Sequence, residues 1–397
     1  MFRNTFASRF GGTTGTMAAV ALWLLSSMSA GGASGPAPSV GAVFDRVRAH
    51  NFHPVDDRSF TIDRTLRQHG IADPDDEDWR VRLLAVRDLV RAGEEAVPDI
   101  AAGLRDEDVQ VRYVCALALG VLGAKDSVAD LERVVREDED ALARSEAVVA
   151  LGMIGSEGSL ALLRETLEND PSNDVKHQAE LAVDRIDKGM ASGEELRAAY
   201  ESLDPADFGT LEIGAPAPDF TLTDTEGKPW RLADHKEQGW TLLIWIFADW
   251  CPVCHREFRE LIDLREQFEE KGITVATIEA SDRYRARVMV GKELDPDYWF
   301  ADESFQDAYT DKIWWPHLVD FAGKVGARYG LDPLAYAVHA EYVNRPAAII
   351  IDPQGKVRLA YYGTYWGDRP SIEEALDMIR QEEFDYEHPR RLKLEKE

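Results

Sequence analysis

Between Asp78 and about Asp187 the chain repeats itself with a period near 31 residues, and a period of that length leaves few folds open. The basic residues Arg82, Arg112, Arg144 and Lys176 fall 30, 32 and 32 positions apart. A small side chain follows each of them by three residues (Ala85, Cys115, Ala147, Ala179) and an aliphatic one by seven (Leu89, Leu119, Leu151, Val183). Such offsets lie on one face of a helix. Gly93, Gly123 and Gly155 then turn the chain into a second apolar stripe, which reads Val97, Ile100, Leu104 in the first unit, Val128, Leu131, Val135 in the second and Leu160, Leu163, Leu167 in the third. Each unit is therefore expected to be a helical hairpin that cannot bury its apolar face alone, so the units stack into an α-solenoid. Asp78, Asp108 and Asp140 precede the first helices, where a carboxylate caps free amides and suits the helix dipole. A fourth unit carries Asp187 in place of glycine, as a terminal capping repeat does, and residues from Val40 to Ile71 are less periodic and suit an N-terminal cap.

Over about 110 residues this segment resembles HEAT-type repeats of the short, lyase-like variety. Solenoids of that kind bind partners, so the resemblance implies an unidentified protein bound by the repeats. Neither paired carboxylates nor metal-spaced histidines stand out in the segment. Cys115 takes the small-residue position of its unit and is expected to be an inert core residue.

The N-terminus carries Arg3 and Arg9 and no acid, then an apolar stretch from Met17 to Leu25, then small residues through Ser26, Ser27, Ser29, Ala30 and Gly31. That order is a secretory signal, with an uncleaved N-terminal anchor as the alternative, and it implies a periplasmic or extracellular location. The formal charge is −28. An excess of that sign repels phosphate, which excludes nucleic acid as a partner. The chain has three cysteines. A small exported domain stapled by disulfides carries more, in even number, whereas two of these three form one Cys-x-x-Cys.

Beyond a linker from Lys188 to Gly214, with a short helical stretch around Glu194 to Leu203, the periodicity changes. Phe220 and Leu222 lead through a Glu226-Gly227 turn into a second short strand. Thr241 to Phe247 is an apolar run long enough for a buried strand. Pro252 opens an amphipathic helix through Phe258, Leu261, Leu264 and Phe268, ended by Gly272. Ile273 to Ile278 and Ala347 to Ile351 read as further buried strands, Asp352 to Gly355 as a turn, Lys356 to Tyr362 as a strand and Ser371 to Gln381 as a closing helix. Strand, helix, strand, hairpin and helix make an α/β domain with a mixed sheet.

Cys251-Pro252-Val253-Cys254 sits where the buried strand gives way to the helix. A helix N-terminus presents free amides and partial positive charge, which stabilise a thiolate, so Cys251 is expected to be the acidic nucleophile. Cys254, one turn on, is placed to resolve the mixed disulfide that Cys251 forms.

Here the sequence resembles the thioredoxin superfamily, in the redoxin branch that includes exported thiol-disulfide oxidoreductases and the alkyl-hydroperoxide-reductase type of peroxidase. The residues that carry the likeness are Phe247-Ala248-Asp249-Trp250-Cys251-Pro252-Val253-Cys254, the segment Gly214-Ala215-Pro216-Ala217-Pro218-Asp219-Phe220, and Arg345-Pro346. The resemblance implies that the peptide bond before Pro346 is cis, that Pro346 faces the cysteine pair, and that the backbone of Arg345 pairs with a substrate peptide. It also implies that Trp250 and Pro252 border the substrate. Two departures stand out. The buried acid that often precedes the first cysteine by six residues is Trp245 here, which leaves Glu257, His255 or water to accept the Cys254 proton. The segment from Ala280 to Asn344 is expanded and rich in aromatics (Tyr298, Trp299, Phe300, Trp314, Trp315, Tyr329), read as an extra packed helix layer rather than a substrate surface.

Three rival readings remain. Peroxiredoxins activate peroxide with a threonine three before the cysteine and a proline seven before; those positions are Ala248 and Ile244. Cys251 to His255 also satisfies the c-type haem attachment pattern, although His255 is expected to be an ordinary exposed residue. The third rival is a non-catalytic scaffold. The expected organisation is a signal peptide over 1–30, a lead-in over 31–77, HEAT-like repeats over 78–190, a linker over 191–212, a thioredoxin-like redoxin domain over 213–385 and a charged tail over 386–397. The expected partners are protein thiols or disulfides and a redox protein that supplies or accepts electrons, with no cofactor and no metal.

Overall fold

The helical repeats form because each unit meets its own capping requirement. In a computed structural model that describes residues 38–50, 80–191, 193–235, 238–294 and 309–389, the chain opens with α1 (Val40–Ala49). Three hairpins follow: α2 (Val81–Ala92) with α3 (Val97–Ala102), α4 (Val109–Leu122) with α5 (Val128–Glu137), and α6 (Ala141–Ile154) with α7 (Leu160–Asn169). They end in α8 (Asn173–Asp187) and α9 (Glu194–Ser202). Asp108 and Asp140 accept from the amides of Gln110 and Leu142, as the sequence pattern anticipates. Asp78 lies outside the described residues. Gly123 and Gly155 close their helices in the left-handed region at φ 63° and 71°, where a side chain is disfavoured.

The periodic arginines form an ion-pair ladder between units. Arg112 bonds Asp138 at 2.8 Å and Arg144 bonds Asp170 at 2.9 Å, so each basic residue holds the loop that introduces the next unit. The inner helices pack closely because glycine faces them: a Cβ on Gly152 would fall 3.0 Å from Ala182 Cβ. Cys115 is wholly buried beside Gly103 and Phe44, and burial pushes its thiol up, in keeping with an inert role. Part of the anticipated N-terminal cap is α1, which packs on α2 through Val43, Phe44 and Val47; residues 51–79 lie outside the described set.

The C-terminal half is a seven-stranded open sheet in the order β2-β1-β5-β4-β3-β8-β9. These strands are β1 (Thr221–Asp224), β2 (Pro229–Arg231), β3 (Thr241–Trp245), β4 (Thr274–Glu279), β5 (His317–Val319), β8 (Ala347–Ile351) and β9 (Val357–Tyr362). β3, β4 and β5 run parallel, and β8 pairs antiparallel with β3, setting Trp245 opposite Ala347. The helix after Pro252 breaks once, giving α10 (Pro252–Asp263) and α11 (Arg265–Lys271). After these come α12 (Arg283–Met289), α13 (Lys324–Arg328) and the closing helix α14 (Ile372–Gln381), whose Ser371 and Glu374 form a capping box.

The expanded segment carries the short helices α12 and α13, and strands beside them. It contributes β5 to the sheet and a separate hairpin, β6 (Tyr336–Val338) with β7 (Glu341–Val343). Its described tryptophans turn inward because their indole N–H groups find buried acceptors: Trp314 donates to Leu261 O and Trp315 to Thr277 Oγ1. Tyr298, Trp299 and Phe300 lie outside the described residues.

All the described residues belong to one compact unit spanning 37–397, and the first helices of the repeats face the sheet domain through the β6–β7 hairpin. Tyr342 donates to Gln110 Oε1 at 2.7 Å, meets the Tyr113 ring edge-on at 4.7 Å and stacks under the Arg82 guanidinium. Gln178 donates to Glu341 at 2.9 Å, and Asp174 bonds His339 Nδ1 at 2.8 Å. At the hairpin tip, His339 and Ala340 hold φ of 55° and 51°. Both residues thus take the left-handed conformation that a two-residue turn between paired strands requires.

Candidate active site

The strand β3 ends at Trp245, and the next five residues carry the chain to Cys251, the N-cap of α10, with Pro252 at the first helical position where its missing N–H is harmless. Asp249 anchors this loop. Its carboxylate takes both arms of Arg285 at 2.6 Å, and its carbonyl meets His255 Nε2 at 2.5 Å. His255 is therefore buried rather than exposed, because the loop folds back over the helix start. Burial pushes its pKa down to about 4.

Both sulfurs are fully buried free thiols, within hydrogen-bond reach of one another, in an apolar cluster with Trp250, Val253, Phe258, Val338 and Val343. Cys254 Sγ accepts from the Phe247 amide at 3.3 Å and from Arg369 Nη2 at 3.2 Å. Arg369 also holds Glu257 through two bonds of 2.5 Å. The order of acidity expected from the helix terminus is thereby reversed. Burial raises both thiols, but for Cys254 the bond from Cys251, the guanidinium and the loop amides outweigh it and bring the thiol well down. Cys251 is raised by burial and by its neighbour's charge. Glu257, desolvated yet paired, is pushed up to about 7.

Arg369 is the residue at the sulfurs that the sequence reading missed. It lies 115 positions beyond Cys254, in the turn between β9 and α14, and no motif marks it. Thr364 and Tyr361 secure that turn by donating to Asp368.

The remaining candidates are distributed unevenly. Trp250 lies beside the pair, edge-on to Phe247 and to His339, and its indole donates to Glu341 on the hairpin. Pro252 is exposed. Arg345 is buried: its amide donates to Asp332 O and its Nε to Gly363 O, so the backbone expected to meet substrate is already engaged internally. Pro346 is buried as well, and its carbonyl accepts from Gly363. No peptide bond among the described residues is cis, so the expectation of a cis bond before Pro346 is corrected to trans; the internal bonds on both flanks fix the chain in that form. Among the described residues no group of three histidine, cysteine or acidic side chains is disposed to hold a metal ion.

A helix-capped Cys-x-x-Cys facing the end of a mixed sheet, behind an α-solenoid, defines a thioredoxin-like redoxin joined to helical repeats. The chain belongs to the AhpC/TSA family, whose model matches residues 213–360, while HEAT repeats match residues 71–151 and 97–184. The thiol-disulfide oxidoreductase ResA of Bacillus thuringiensis subsp. konkukian is 31% identical over 147 residues, 37% of this chain and 68% of the relative. That of Geobacillus thermodenitrificans is 26% identical over 170 residues, 43% of this chain and 79% of the relative. Among solved structures, the peroxidoxin BcpB from Mycobacterium tuberculosis aligns with a TM-score of 0.33 and 20% identity, covering 43% of this chain and 97% of that one.

Proposed function

We propose that this protein is an exported thiol-disulfide oxidoreductase that exchanges disulfides with protein substrates through Cys251 and Cys254. The observation that carries the reading is the Cys254 sulfur held between the Phe247 amide and the Arg369 guanidinium, with Cys251 as its hydrogen-bonded neighbour. One proton is shared by the two sulfurs, and the anion is drawn to Cys254.

Cys251 is the attacking sulfur, since it stands next to exposed Pro252 while Cys254 lies a turn deeper. As a substrate disulfide approaches, the Cys251 proton passes to Cys254. The Cys251 thiolate then bonds one substrate sulfur and expels the other as a thiolate. Glu257, on the same guanidinium and near neutrality in its affinity for a proton, next accepts the Cys254 proton. Cys254 attacks Cys251, the mixed disulfide breaks, and the second substrate sulfur leaves. Two electrons have moved to the substrate, and the enzyme holds the Cys251–Cys254 disulfide until a redox partner reduces it.

Ala248 and Ile244, both buried and apolar, stand where a peroxiredoxin keeps its peroxide-activating groups, which favours the disulfide reading. The leader with Arg3 and Arg9 supports export. Among the described residues no helix is long and apolar enough to cross a membrane. Partner binding by the repeats falls to their outer helices, since the inner ones hold the β6–β7 hairpin. In the test, purified protein catalyses reduction of insulin disulfides by dithiothreitol, and Cys251→Ser removes the catalysis with an unchanged circular dichroism spectrum; a variant as fast as the parent refutes the proposal.

A further inference from the structure

A cavity of about 130 Å³ lies where the inner helices of the repeats meet the loop that leads into Cys251. Tyr113, Glu146 and Gln178 line it from the repeats, and residues 246–249 with Asn344 line it from the redoxin side. Two arginines also reach it, and both are already paired. Arg285 holds Asp249 and Glu341, and Arg185 holds Asp282.

What remains unmet lies on the acceptor side. The Glu146 carboxyl has the Tyr113 hydroxyl as a hydrogen-bonding neighbour, but among the described residues its Oε1 and Asn344 Oδ1 are buried without a partner, and both residues line this cavity. Each is only 5% exposed. The Asn344 amide is oriented by its Nδ2, which donates to Ile246 O at 2.9 Å and leaves the oxygen free. Among the described residues no buried unpartnered donor lines the same space. A lone buried acceptor costs about 1–3 kcal/mol, and a buried carboxylate needs a proton or a cation beside it. Five carboxyl groups (Glu146, Asp249, Glu279, Asp282, Glu341) line the cavity with two guanidinium groups, and burial raises Glu146, Glu279 and Glu341. The rest of the wall is largely apolar, with Leu117, Val149 and Leu334 among its members and the Tyr113 and Tyr342 rings at one side.

We propose that this cavity binds a small organic cation, an alkyl- or arylammonium, whose N–H groups donate to Glu146 and Asn344 while its apolar part lies along Leu117 and Val149. The missing partner is thereby a donor, positively charged, with a short hydrocarbon body. Water satisfies the first requirement alone. Desolvation pushes the empty Glu146 carboxyl up to about 8, so an arriving ammonium takes the place of a proton there. The tyrosine faces add attraction that a neutral ligand lacks. The inference is independent of the redox reading, because neither sulfur is part of the wall.

The test uses the full chain and two probes of nearly equal shape, benzylamine and benzyl alcohol, titrated by calorimetry at pH 7. Benzylammonium should bind at least tenfold more tightly than the alcohol, and Glu146→Gln should remove most of that preference. Equal affinity for the two probes, or no binding of either to a cavity that holds only water, overturns the proposal. The comparison on the unaltered chain needs no variant, so a poorly folding Glu146→Gln leaves the test intact.

Discussion

Replacing Arg369 with methionine isolates the feature on which the proposed chemistry turns. The guanidinium sits 3.2 Å from the Cys254 sulfur, buried, and its charge helps to bring that thiol down. A hydrogen bond to a charged group contributes about 1.5–3 kcal/mol. At about 1.36 kcal/mol per pKa unit, its loss raises the thiol by about one to two units. Stabilising the thiolate stabilises the reduced form, so removing the cation makes the pair more reducing, by about 30–60 mV for a two-electron couple. Glu257→Gln has the opposite sign. It removes the carboxylate that shares the guanidinium, leaves Cys254 as the sole anion on Arg369, and raises the potential. Equilibration against graded ratios of dithiothreitol and its disulfide, read by tryptophan fluorescence, measures both variants on one scale. Shifts in the same direction, or an Arg369→Met potential within about 10 mV of the parent, refute the assignment of the thiolate to Cys254.

Three further outcomes follow from the same geometry. Glu257 gains affinity for a proton on folding, from the ordinary carboxylate range to about 7; a raised carboxyl stabilises the fold below its unfolded value and loses that contribution as pH climbs through the folded one. The melting temperature of Glu257→Gln should accordingly vary less between pH 5 and 7 than that of the parent, and parallel curves count against the buried carboxyl. Asp174→Asn weakens the bond to His339 at the hairpin tip. A loss of about 1 kcal/mol speeds modification of Cys251 by N-ethylmaleimide about fivefold, and an unchanged rate means that the hairpin does not control access. Arg144→Ala breaks the ladder and strands Asp170, which should lower unfolding free energy by about 3 kcal/mol in urea titrations, against almost nothing for exposed Arg164→Ala.

The repeats were legible because their constraints are local. Helical offsets, capping acids and left-handed glycines all act within one unit, and repetition makes each visible three times. The cysteine pair was legible for the same reason, as a motif contained in four residues. Arg369, Asp249 with Arg285, and β5 were not. Each depends on chain segments brought together over tens of positions, and β5 is only three residues long. Arg345 carries a contact that the resemblance did not foresee: its amide donates to Asp332 O, a partner thirteen positions away in an irregular stretch.

Fusing a solenoid to a redoxin changes what the sulfurs must overcome. In this protein Trp250, which borders the pair, bonds Glu341, and Glu341 in turn takes Gln178 from α8 and Arg285 from α12. The loop before Cys251 and the hairpin over it are thus parts of one buried polar network that reaches into the repeats. Such a network is stable only when every member is paired, so a substrate that reaches Cys251 must displace the hairpin as a unit or supply replacement partners. The positive φ at His339 and Ala340 belongs to the two-residue turn that joins the paired strands, so the hairpin moves with its turn intact. Access therefore depends on the strength of the repeat contacts as much as on the thiol chemistry. A repeat-side variant such as Gln178→Ala should raise the rate of insulin reduction while leaving the potential of the pair unchanged; a potential that moves with it places Gln178 in the electrostatics of the sulfurs rather than in the control of access.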